Sequence, residues 1–80
     1  DYRIAFHLGD QYVKRDAARA VGFYRAARAL RPDSFAANIN LGVALLKSGD
    51  AAGARDAYLA AARIAPDSPM AAYNLGRALG

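Results

Sequence analysis

The side chains that combine hydrogen-bonding chemistry with a regular spacing are two amides, Asn40 and Asn74. Each stands directly before the dipeptide Leu-Gly, and an amide offers both a hydrogen-bond donor and an acceptor. The only histidine, His7, stands before Leu-Gly in the same way. These three positions are the first candidates for contact with a ligand.

Catalytic chemistry finds no support in the same residues. The 80 residues contain no Ser/His/Asp set, no carboxylate pair at a plausible site and no glycine loop that would cradle a phosphate. The chain also lacks cysteine, and one imidazole without a second ligand does not make a metal site. We therefore expect no catalytic, metal or cofactor site, and we expect that the chain is not itself an enzyme.

The charge balance allows attraction to anions without requiring it. Eleven basic residues oppose seven aspartates, which gives a net charge of +4, and there is no glutamate. Such alanine- and arginine-rich usage is typical of a GC-rich bacterial genome, so we expect no nucleic-acid partner. The alternative anionic-partner surface consists of Arg25, Arg28, Arg31 and Arg63. Because the apolar runs are short, we expect a soluble protein without membrane insertion, and its compartment (bacterial cytoplasm or periplasm) stays open.

A second motif repeats with the same interval as the asparagines. Pro32-Asp33-Ser34 returns as Pro66-Asp67-Ser68, and Tyr24 returns as Tyr58, each at the interval that separates Asn40 from Asn74. A fixed period in the range of about 20 to 50 residues is typical of a solenoid, whose units bury their apolar faces by stacking on one another. Function is then expected on an extended surface.

Capping residues divide the chain into helices. The four N-cap candidates are Asp16, Ser34, Asp50 and Ser68. Apolar residues between them follow helical spacing, so the sequence predicts an all-α fold with helices over 2–14, 17–31, 35–48, 51–65 and 69–79. Gly49 indicates the turn between the third and fourth helices.

Small residues are expected to let these helices approach closely. They are Gly42, Ala54, Ala61 and Gly76. Tyr24 and Tyr58 are expected to fill the space between one helix pair and the next. Short loops require consecutive helices to run antiparallel.

In this register the sequence resembles a tetratricopeptide repeat, a helix-turn-helix unit of about 34 residues. The residues of 35–68 that match the family pattern are Leu41, Gly42, Leu45, Ala54, Tyr58, Ala61 and Pro66. Repeat 1 covers about 2–34 and is one residue shorter in its turn, and 69–80 is the first helix of a third unit. The resemblance implies a right-handed superhelical solenoid of antiparallel helix pairs, with five helices in a single domain over 1–80.

The family resemblance also implies a protein-interaction module that binds an extended peptide or partner segment in a concave groove. The first helix of each pair lines that groove, and an asparagine before Leu-Gly contacts the ligand backbone in peptide-binding relatives. Asn40 and Asn74 resemble the asparagine ladder in the repeat arm of the O-linked N-acetylglucosamine transferase family. The predicted groove residues are Phe6, His7, Asp10, Ile39, Asn40, Val43, Tyr73, Asn74 and Arg77. The alternative to ligand contact is that these are ordinary surface or packing residues.

Three further expectations follow from the resemblance. The clamp for chaperone C-terminal carboxylates is expected to be absent, because Asp10 and Met70 replace two of its polar or basic residues. The chain is alternatively a non-catalytic arm of a larger enzyme, such as a glycosyltransferase or sulfotransferase. Self-association is expected through the uncapped helix 69–79, where Tyr73, Leu75 and Leu79 would face a missing second helix.

Overall fold

The computed structural model describes residues 1–79, and all the regular secondary structure in that range is helical. The helices are α1 (Tyr2–Tyr12), α2 (Ala17–Leu30), α3 (Phe35–Lys47), α4 (Ala51–Ile64) and α5 (Pro69–Leu79). The five predicted helices and the all-α class are confirmed. Gly80, the last residue assigned to the third repeat, lies outside the described residues.

Short polar side chains begin the helices, as the sequence predicts. Asp16 accepts a hydrogen bond from the Arg19 amide at 3.1 Å, and Asp50 accepts one from the Gly53 amide at 2.8 Å. The hydroxyl oxygens of Ser34 and Ser68 do the same one repeat apart, at 3.1 Å and 3.3 Å. Each cap satisfies an amide that has no partner within its own helix.

The two turns inside the repeats differ. Gly49 adopts a φ of 93°, and its neighbour Asp50 donates its amide to the carbonyl of Leu45 at 2.8 Å, which ends α3 tightly. Without an equivalent glycine, α1 ends at Tyr12, two residues earlier than predicted. The Asp16 amide closes this turn by donating to the Tyr12 carbonyl at 2.7 Å.

Each helix packs on the next one along the chain, and α5 also touches α3. Turns of three or four residues join the helices, so consecutive helices run antiparallel and form a solenoid of helix pairs. The core is built mainly of alanines around two tyrosines, Tyr24 and Tyr58, which are 1% and 0% exposed. The core therefore depends on close helix approach more than on large aliphatic side chains.

Close approach depends on glycine at two of the three Leu-Gly motifs. A Cβ atom added to Gly9 or to Gly42 would collide with the ring of Tyr24 or of Tyr58. The expectation for Gly76 is wrong, because nothing lies within 4 Å of the place where its Cβ atom would be. No described helix packs on that side of α5. The expectation for Leu75 is also wrong, since this side chain is half-buried against the main core.

Candidate peptide-binding groove

A cleft of about 150 Å³ lies where the first and second repeats meet. The first helices of the two pairs line it: α1 contributes Asp10, and α3 contributes Asn40 and Val43. Tyr24 comes from α2. Val13, the residue after α1, completes the lining. We call these five residues the Asp10 cleft. It combines a carboxylate, an amide and a phenol with two apolar walls.

The polar centre of the Asp10 cleft is a hydrogen bond between two helices. The Tyr24 hydroxyl donates to Oδ1 of Asp10 at 2.5 Å. Burial raises the pKa of Tyr24, and the hydrogen bond to Asp10 and its negative charge raise that pKa further. The phenol therefore keeps its proton, and the carboxylate stays fixed as an acceptor.

Aromatic packing holds Tyr24 in this position. The Phe6 ring meets the Tyr24 ring edge-on, with centroids 5.7 Å apart. On its other side Phe6 contacts the Tyr2 ring at the same centroid distance, and the Tyr2 hydroxyl is hydrogen-bonded to Ser34 Oγ at 2.7 Å. Phe6, predicted as a groove residue, thus supports the cleft through Tyr24 and is not itself part of the lining.

The corresponding place between the second and third units has different chemistry. Val43 stands after Gly42 where Asp10 stands after Gly9, and Arg77 follows Gly76. The Tyr58 hydroxyl is buried and has no hydrogen-bond partner among the described residues. Burial raises the pKa of Tyr58, although the charge of Arg77 opposes the shift.

The two asparagines predicted to contact a ligand, Asn40 and Asn74, differ in solvent exposure. Asn40 is half-buried and lines the Asp10 cleft, whereas Asn74 is only 7% exposed on the face of α5 that packs toward the core. A third asparagine, Asn38, has a structural role: its Nδ2 donates to the carbonyls of Pro32 and Ser34. Asn40 is therefore the amide best placed to meet a ligand.

The remaining predicted groove residues do not gather in one place. His7 is exposed, is hydrogen-bonded to Gln11 at 3.3 Å, and lines a separate shallow cleft with Ile4 and Leu8. Ile39 is buried in the core. Tyr73 is 68% exposed, and the Arg77 guanidinium lies 5.8 Å from its ring centroid. The structure brings Asp10, Asn40 and Val43 together and leaves the others apart.

Sequence reasoning missed Tyr24 and Val13 as lining residues. The repeat pattern assigns Tyr24 to packing alone, because it requires a large residue there whatever its polar atom does. One signal was available: Asp10 follows the glycine against which Tyr24 packs, so its carboxylate lies next to the ring.

The described residues give no positive sign of a metal site or of a membrane-spanning helix. No group of three or more His, Cys, Asp or Glu side chains in residues 1–79 is placed to hold a metal ion. None of the five described helices is long and apolar enough to cross a bilayer. Of the arginines considered for an anionic partner, Arg31 lies over the Tyr2 ring at 4.7 Å from its centroid.

Stacked antiparallel helix pairs with a cleft between their first helices define a helical-repeat protein. The family model for the tetratricopeptide repeat matches residues 10–69, three quarters of the chain. The chain belongs to the tetratricopeptide repeat family, as the resemblance predicted. A comparison with curated proteins finds no match. Repeats of this family generally mediate protein-protein interaction.

Proposed function

We propose that this chain is a protein-interaction module that binds an extended segment of a partner protein along α1, α3 and α5. The observation that carries the proposal is the Asp10 cleft, because it places a fixed acceptor and an accessible amide, Asn40, between apolar walls at the junction of two repeats. Hydrogen-bonding groups of this kind read a peptide backbone, and the walls receive its side chains.

Magnitudes decide how such a groove holds a peptide. A net contribution of roughly 0.5–1.5 kcal/mol per hydrogen bond is small beside the roughly 8 kcal/mol that micromolar affinity requires. Polar contacts from a few side chains are therefore insufficient. Side chains of the partner must also bury apolar surface, and Val13 and Val43 are placed to provide it.

The test is a titration of the wild-type chain with an array of short peptides. Asn40→Ala is expected to weaken the peptides retained by the wild type about two- to tenfold, from the loss of one hydrogen bond. Asn74→Ala is expected to weaken them less, because its side chain is mostly covered. Asp56→Asn is the control, since this exposed residue on α4 does not line the cleft. Unchanged affinity in Asn40→Ala for every retained peptide would remove the groove as the binding site.

We also propose that binding, without catalysis, is the role of these residues. In the alternative, the chain is an arm of a larger enzyme and uses the same groove to present a substrate segment. The same titration tests whether the groove binds a peptide in that case.

Self-association through α5 is the second candidate, and the exposure of Met70, Tyr73 and Leu79 favours it. The surface beside Gly76 is also uncovered, although Gly9 and Gly42 occupy the same repeat position under a tyrosine ring. Light scattering over a range of concentrations is expected to show a dimer that Tyr73→Ser dissociates. A wild-type chain that stays monomeric throughout would eliminate this candidate.

A further inference from the structure

Asp10 carries a charge that nothing in the described chain neutralises. Its carboxylate is exposed, and Oδ1 accepts the Tyr24 hydroxyl. The ion pairs of the described residues involve Asp1, Asp16 and Asp56, and none of them involves Asp10 or Lys14, which lies in the turn after α1. No described residue donates a hydrogen bond to Oδ2 of Asp10, and Asp10 lines the cleft.

Four of the other aspartates have local structural roles, and the remaining two lie in exposed turns. The N-caps are Asp1, Asp16 and Asp50. Asp56 pairs with an arginine on its own helix, and Asp33 and Asp67 lie in the turns between repeats. Asp10 differs from all of them because its hydrogen bond joins two helices at the mouth of a cleft.

The walls of the Asp10 cleft suit a long side chain with a charged end. Val13 and Val43 offer apolar surface to a methylene stem, and Asn40 lines the same cleft as Asp10 with an amide that includes an acceptor oxygen. Lysine and arginine have this construction, since their stems pack on apolar surface while the cationic head reaches a polar group. The volume of about 150 Å³ is a space for one side chain and not for a folded ligand.

We infer that the Asp10 cleft binds the side chain of a lysine or arginine in the partner segment, an inference that rests on the groove function proposed above. The ammonium or guanidinium group donates charge-assisted hydrogen bonds to the Asp10 carboxylate and to the carbonyl of Asn40, and its stem lies between Val13 and Val43. A cation is thus selected at one place although the whole chain carries a net charge of +4 and repels cations at long range.

The next unit along the groove has the opposite preference. Val43 occupies the repeat position of Asp10, and Arg77 occupies it one unit later. A basic side chain at the position of Arg77 would meet a like charge, which costs free energy. The basic residue of the bound segment is therefore placed at the first repeat and not beside Arg77.

The experiment compares short peptides, otherwise randomised, whose central residue is fixed as arginine, citrulline, leucine or glutamate. Citrulline keeps the shape of arginine without its charge. The wild-type chain is expected to bind arginine peptides about tenfold more tightly than citrulline peptides, from one charge-assisted contact. Asp10→Asn is expected to abolish that preference, because the amide carries no charge although its oxygen still accepts the Tyr24 hydroxyl. Asp56→Asn, on α4, is expected to keep the full preference.

The outcomes separate this inference from the groove function. Equal binding of arginine and citrulline peptides by the wild type, together with weakening by Asn40→Ala, would overturn the inference and leave the groove function standing. A preference that survives in folded Asp10→Asn would overturn it equally. Binding of no peptide pool would overturn the groove function, and the inference with it. If circular dichroism shows that Asp10→Asn unfolds, the arginine-citrulline comparison on the wild type still decides.

Discussion

The Tyr24 hydroxyl donates a hydrogen bond to the Asp10 carboxylate, whereas Tyr58, at the same position of the next repeat, has a buried hydroxyl without a hydrogen-bond partner in residues 1–79. The rings are equivalent in packing, since each lies against the glycine of its own Leu-Gly motif. The two repeats thus share a scaffold and differ in one polar contact. That difference makes Tyr24 and Tyr58 a matched pair for measurement.

Removing each hydroxyl should change stability in opposite directions. Tyr24→Phe loses a hydrogen bond and is expected to cost about 1 kcal/mol of the free energy of unfolding. Tyr58→Phe removes a buried group that has no hydrogen-bond partner in the described part of the chain, and is expected to stabilise the protein by up to about 1 kcal/mol. Urea denaturation followed by circular dichroism measures both. Equal losses would mean that the Tyr58 hydroxyl has an acceptor.

An acceptor introduced at position 43 should show energetic coupling to the Tyr58 hydroxyl. Val43→Asp places a carboxylate at the repeat position of Asp10, at the cost of an apolar contact with the core. A double-mutant cycle with Tyr58→Phe separates these effects, and the expected coupling free energy between carboxylate and hydroxyl is about 1–2 kcal/mol. Val43→Ala in the same cycle is the control, since it loses the apolar contact and adds no acceptor. Equal coupling for both substitutions would contradict the geometric equivalence of the two sites.

The helices and their starts could be predicted because their signals are local. Ser34 and Asp50 cap the helices that follow them, within three residues of sequence, and need no knowledge of the fold. The exposure of Asn74 could not be predicted in the same way. Its repeat position matches Asn40, but its burial depends on which helices surround α5, and the repeat period says nothing about that.

The hydrogen-bond partner of the Tyr24 hydroxyl could not be predicted from the repeat pattern for a related reason. The family pattern defines ring size at Tyr24 and Tyr58 but leaves free the residue after Leu-Gly, which is Asp10 in one repeat and Val43 in the next. The polar character of the cleft is therefore set at a variable position, next to positions that packing constrains. His7 shows the converse, since it shares the register of Asn40 and yet lies in a different cleft.

Glycine substitutions should report which sides of the helices are covered. Gly42→Ala forces a methyl group against the Tyr58 ring and is expected to cost about 1–3 kcal/mol or more. Gly22→Ala and Gly76→Ala meet nothing within 4 Å, so the higher helix propensity of alanine is expected to stabilise each by roughly 0.5–1 kcal/mol. Thermal denaturation distinguishes these signs. A destabilising Gly76→Ala whose effect grows with protein concentration would show that a second copy covers α5.

Alkaline solution should unfold the protein through its buried tyrosines. The pKa of Tyr24 and that of Tyr58 are raised by burial in the folded chain, whereas an unfolded phenol ionises near pH 10. Above about pH 10 the unfolded state therefore holds fewer protons than the folded state, and stability falls as the pH rises. Tyr12 should behave differently, because the guanidinium groups of Arg19 and Arg15 lower its pKa and its folded form ionises earlier.

A titration of tyrosinate absorbance alongside circular dichroism tests this order. Tyr12 is expected to ionise first without loss of helix, and Tyr24 with Tyr58 only together with unfolding. Tyr24→Phe is expected to flatten the dependence of unfolding free energy on pH above 10, because one proton fewer separates the two states. A slope that is equally steep in Tyr24→Phe would mean that the Tyr24 phenol ionises within the folded protein, and that the hydrogen bond to Asp10 does not hold its proton.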